Sequence, residues 1–213
     1  MAAISASMMT SGQRIGVIFA LLLGVLIVTS EFANQTAAVT FVTVPRRATV
    51  IRAKLAAAAC CGALFWLGGG TIIAAVTTPL FLYSQHVSVS LAGWTVARSV
   101  LLSLLAFVAW GVFGLGLGAV LRGQTASLLA AIAVYGGSFG ALLVFTALYN
   151  LFHQGWMLGA PVIAPALASE VLTTSGPAFP DAPPAWIGGI ILIAYVVALA
   201  AAGLALTKRR DVI

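Results

Sequence analysis

Charge is what this chain has least of. Across 213 residues there are ten Lys and Arg and four Asp and Glu, 7 % in all, while 62 % of the residues are hydrophobic and mean hydropathy is +1.15. Soluble domains carry about 25 % charged residues, and no soluble fold of this size hides so much apolar surface, so the solvent implied is lipid. A soluble enzyme and a nucleic-acid binder are excluded on the same ground, because the net charge of +6 is placed at the ends of apolar runs. Cysteine is nearly absent. Cys60 and Cys61 are adjacent within an apolar run. Neighbours on a helix point about 100° apart, which does not suit a disulfide, and no Cys/His metal spacing occurs. No nucleotide-binding Gly-x-x-x-x-Gly-Lys-Ser/Thr is present either, so the chain does not hydrolyse ATP by itself.

Apolar length is abundant. Spans are expected over 15–30, 55–79, 99–121, 126–152 and 186–207 in a single transmembrane domain. The 99–121 run alone gives roughly 34 Å of helix against a core of about 30 Å. Arg122 and Gly123 form a tight turn, and Lys208, Arg209 and Arg210 stop the last span. One orientation places Arg46, Arg47, Arg52, Lys54, Arg122, Lys208, Arg209 and Arg210 on the cytoplasmic side and leaves Arg14 and Arg98 outside. The C-terminus is then cytoplasmic, and Trp94, Trp156 and Trp186 sit at outer span ends as an aromatic belt.

Three further readings follow. Residues 153–184 carry Pro161, Pro165, Pro180, Pro183 and Pro184, too many for one straight span, so an outer re-entrant or interfacial helical pair is expected. Within it His153, Glu170 and Asp181 match no metal-ligand spacing and are expected to be solvated at the surface or hydrogen-bonded in a loop. Glycines cluster mid-span at 111, 114, 116 and 118, and again at 136, 137 and 140, and Gly114-x-x-x-Gly118 lets helices approach closely. No charge is expected mid-span, which counts against an ion-coupled carrier. Arg98 is expected to reach the outer headgroups rather than an anionic substrate.

The charges are densest at Ser30–Lys54, which holds Glu31, Arg46, Arg47, Arg52 and Lys54 between apolar flanks. Ser30 is positioned to cap a helix that Glu31 favours at its start, and Pro45 prevents that helix from continuing. A short helix over 31–42 on the inner membrane face is expected, followed by a basic anchor worth about 1 kcal/mol per cation at anionic headgroups.

The residues of this elbow carry a resemblance. Thr29-Ser30-Glu31-Phe32, Gln35-Thr36, Thr40-Phe41, Val44-Pro45-Arg46-Arg47 and Lys54 resemble the first cytoplasmic element of ABC-2 type permeases of actinobacterial form. The Arg122-Gly123 turn and the Arg209-Arg210-Asp211-Val212 ending are similar too. The chain departs from the pattern at Ala33 and Gln35, where that family has a basic residue and a glycine. The resemblance implies an all-α polytopic bundle of six spans, with five seen here and the first preceding Met1. It implies a coupling helix whose Glu31, Phe32, Gln35, Thr36 and Phe41 meet an ABC ATPase subunit, with a second permease subunit completing a homo- or heterodimer. ATP and Mg would be bound by the ATPase, with no cofactor on this chain. The expected activity is export of an amphiphilic or apolar substrate, drug or lipid, across the cytoplasmic membrane. A secondary transporter or channel, and a non-transporting anchor, are the alternatives.

Overall fold

A computed structural model describes residues 12–34, 47–72, 94–174 and 176–209, together with Val76, Leu80 and Tyr83. Among the described residues the protein is helical, with no strand. Helix α1 spans Gln13–Ala33, and α2 spans Arg47–Phe65 and continues as a π-helical stretch, Trp66–Ile72, over three consecutive glycines. Helices α3, Trp94–Leu121, and α4, Gln124–Phe152, are joined by Arg122 and Gly123. A short α5, Trp156–Gly159, runs through a 3-10 turn, Ala160–Ile163, into α6, Pro165–Thr173, and α7 covers Ala185–Arg209.

Helices α1, α3, α4 and α7 (the last over Ala185–Gly203) are long and apolar enough to cross a membrane, and the bent pair α5–α6 makes a fifth if counted as one span. This is a multi-pass membrane architecture. The expected spans at 99–121, 126–152 and 186–207 fall inside α3, α4 and α7. The expected span at 55–79 is described only in part. Its helix starts at Arg47, carries Arg52 and Lys54 in its first turns, is described continuously to Ile72, and is not among the four.

The bend between α5 and α6 has a simple cause. Ala164 is extended at φ −71 and ψ 130, as a residue before proline prefers, and Pro165 starts the next helix at its first position. The two pieces meet at 102°.

Helix α3 is the hub, packing on α1, α2, α4, α6 and α7. Between membrane helices the apolar surface gains little by leaving lipid, so close packing decides association. Glycine makes it possible here. A Cβ on Gly114 would lie 2.0 Å from the Leu21 carbonyl oxygen, and one on Gly24 would lie 2.0 Å from that of Gly111. Gly136, Gly137 and Gly140 of α4 instead meet nothing within 4 Å. The two glycine clusters thus separate into one that holds the bundle and one on an open face.

Candidate functional site

Two polar clusters form at opposite ends of α1. The first lies where α1 enters the elbow. Nothing in Ser30–Ala33 breaks a helix, so α1 runs through to Ala33 and ends at Asn34, whose N–H is bonded to Ser30 O at 3.0 Å. Ser30 is therefore a residue inside α1 and not a cap, and Glu31 and Phe32 belong to the last turn of α1 rather than to a separate helix. Lys54 Nζ sits 2.6 Å from Glu31 Oε2, with both side chains mostly shielded, at 16 % and 27 % exposure. The Arg122 guanidinium lies over the Phe32 ring, 5.4 Å from its centroid. Arg122 adopts φ 58, a left-handed turn that lets α4 double back along α3. The end of α1, the first turns of α2 and the α3–α4 turn are thereby tied together.

Of the other residues expected to couple or anchor, Gln35, Thr36, Phe41, Arg46 and Arg210 lie outside the described residues. Arg47 opens α2, Arg52 is exposed, and Lys208 and Arg209 close α7.

The second cluster surrounds Glu170. Helices α1 and α3 run side by side in the same direction, with Gly16 against Phe107, Leu21 against Gly114 and Val25 against Gly118. Thirteen residues of α3, roughly 20 Å of helix, precede Phe107, so α1 begins well below the start of α3. Helix α6, buried along its whole length, occupies the level above. Its backbone N–H at Ala166 is bonded to Ser138 Oγ of α4 at 3.3 Å. Arg14 Nε lies 2.5 Å from Glu170 Oε1, and Arg14 Nη2 donates to Glu170 Oε2 at 3.4 Å. Gln13 Nε2 donates to Thr173 Oγ1 at 3.0 Å, and the Tyr135 hydroxyl donates to the Arg14 carbonyl. Tyr135 lies in the middle third of α4, so the start of α1 is tied to that level of α4. The N-terminus of α1 also points its positive dipole end at this level, which favours an anion there. Gln13 Oε1 and Trp110 Nε1 are buried without a hydrogen-bond partner among the described residues.

Glu170 corrects one expectation. It is not a solvated loop acid, since its side chain is only 11 % exposed, and it is paired with Arg14 at the start of α1. His153 and Asp181, by contrast, are exposed. One sequence signal could have found it: Glu170 is the lone acid in the apolar run 157–172, and a lone acid in such a run is functional by default. Arg14 gave no signal, since its partner is 156 residues away.

The aromatic residues also divide. Phe107, Trp110, Phe113 and Tyr135 are buried; Trp110 packs edge-on to Tyr135 at 5.5 Å and tilted to Phe113 at 5.1 Å. Trp66 Nε1 donates to Ser103 Oγ at 2.8 Å, joining α2 to α3. Trp94, Trp156 and Trp186 are exposed at the expected ends of their helices, and Cys60 and Cys61 are free thiols.

No protein family, curated protein or solved structure matches the chain.

Proposed function

We propose that this protein is the membrane subunit of an ATP-driven exporter of the ABC-2 type, moving an amphiphilic or apolar substrate across the cytoplasmic membrane. It works with a second permease subunit and with ABC ATPase subunits, with its C-terminus on the cytoplasmic side. The single observation that carries this reading is the clamp formed by Glu31 with Lys54 and by Phe32 with Arg122. It joins both flanks of the elbow and the α3–α4 turn, so a push on the elbow reaches three helices together. The basic residues gathered at that end support a cytoplasmic placement. The test is purification from native membranes in mild detergent. An ABC ATPase co-purifies in stoichiometric amount on this reading, and its absence refutes it.

A second reading is favoured by a specific observation, the shielded Glu170 carboxylate paired with Arg14. Intramembrane carboxylates mark proton and ion pathways, which fits a carrier driven by an ion gradient. Liposomes holding this chain alone separate the two. Proton-driven transport that Glu170→Gln abolishes supports the carrier and contradicts the exporter.

A further inference from the structure

At the end of the bundle opposite the Glu31–Lys54 clamp, a cleft of about 370 Å³ opens beside Arg98, Val171, Thr174 and Ala178. A second lobe of about 40 Å³ adjoins it, lined by Thr95, Thr173, Thr174 and the same Arg98. Sharing Arg98 and Thr174, the two lobes form one cleft between the start of α3 and the segment that follows α6.

Arg98 is the only charged residue lining the cleft among the described residues, and it makes no ion pair among them. Glu170 is adjacent in sequence to Val171 of the wall, but its charge is taken up by Arg14. Asp181 is exposed and does not line the cleft. Thr95 and Arg98 are three residues apart on α3 and share a face, so a hydroxyl and a guanidinium point the same way. Val171 and Ala178 supply apolar wall. An arginine that only reaches for headgroups has no need of a cavity beside it, and this one lines both lobes of a cleft in the size range of a small-ligand pocket.

We propose that this cleft binds the anionic head of an amphiphile, with Arg98 as the group that reads the charge. A guanidinium forks onto two oxygens of a phosphate or carboxylate, the threonine hydroxyls donate to the same oxygens, and the apolar wall takes the start of the tail. The assignment of this ligand as a transported substrate deepens the exporter reading and rests on it. The inner lobe ends at Thr173, which Gln13 holds beside the Arg14–Glu170 pair, so a head bound here lies next to the contact that fastens α6 onto α1.

Equilibrium dialysis of the purified full chain in a neutral maltoside detergent tests the proposal, with dihexanoyl phosphatidic acid, dihexanoyl phosphatidylcholine and inorganic phosphate as separate probes. Binding needs neither ATP nor a partner, so its outcome stands apart from the co-purification test. The phosphatidic acid binds saturably, and far better than either other probe. Arg98→Gln weakens it about tenfold or more, the loss expected for a hydrogen bond to a charged group. Arg98→Lys lies between, keeping the charge without the fork. Arg98 is exposed on its helix, so these variants fold. Absence of saturable binding, or indifference to Arg98→Gln, overturns the proposal. Equal binding of phosphatidylcholine overturns the reading of charge, and equal binding of inorganic phosphate overturns the amphiphile.

Discussion

Glu170 of α6 is paired with Arg14 at the start of α1, 156 residues away, and the pair fastens a bent helical segment onto the end of a membrane helix. The Arg14 side chain is 67 % exposed and that of Glu170 only 11 %. The arginine can leave for water or headgroups, whereas the carboxylate cannot.

That asymmetry predicts a mutational pattern. Arg14→Ala strands a buried carboxylate and lowers stability by about 1–3 kcal/mol in thermal unfolding of the detergent-solubilised protein. The double variant Arg14→Ala, Glu170→Ala recovers part of the loss, because contacting residues couple. Additive losses in the double variant would show that the pair is not formed.

Glycines in the hub predict a second contrast. Gly114→Ala places a methyl against the Leu21 carbonyl, where a Cβ has 2.0 Å, and is expected to cost about 1–3 kcal/mol of stability as overpacking does. Gly137→Ala meets open space and is expected to be neutral or stabilising by up to about 1 kcal/mol, since alanine is the better helix former. Thermal unfolding of both variants reads the difference directly, and equal effects would contradict the packing described for α1 and α3.

Much of this arrangement was legible in the sequence. Apolar length and basic ends placed α3, α4 and α7, and the prolines at 161 and 165 marked the bend between α5 and α6. What periodicity does not carry is tertiary pairing. Nothing near Arg14 announces Glu170, and the spacing of His153, Glu170 and Asp181 carries no hint that one of them pairs with α1. Ser30 misled for a different reason. A serine before a glutamate reads as a cap, but a cap needs the preceding helix to stop, and no glycine or proline stops it there. The middle of the elbow, residues 35–46 with Gln35, Thr36 and Phe41, lies outside the described residues.

Topology gives a third prediction. In a Cys60→Ser, Cys61→Ala background, a cysteine at the exposed Asp181 reacts with a membrane-impermeant maleimide on intact cells. A cysteine at the exposed Gly123 reacts only after permeabilisation. The reverse pattern would invert the orientation drawn from the basic residues and remove the elbow from the cytoplasm.

The hydroxyl of Tyr135 supports a fourth. Tyr135→Phe keeps the ring against Trp110 and loses the bond to the Arg14 carbonyl, so unfolding shifts by about 0.5–1.5 kcal/mol. No shift would place that hydroxyl away from α1.

The exporter proposal makes a mechanical claim: force on the elbow would enter the bundle through Glu31 and Lys54. Its most direct measurement is the ATP hydrolysis rate of the complex that the proposal requires with an ABC ATPase, relative to the ATPase subunit alone, for three charge reversals. Glu31→Lys and Lys54→Glu each place like charges together where the side chains now meet at 2.6 Å. Each is predicted to lower the rate severalfold, and the double reversal Glu31→Lys, Lys54→Glu, which restores the attraction, to recover most of it. Rates unchanged in both single reversals would contradict the claim.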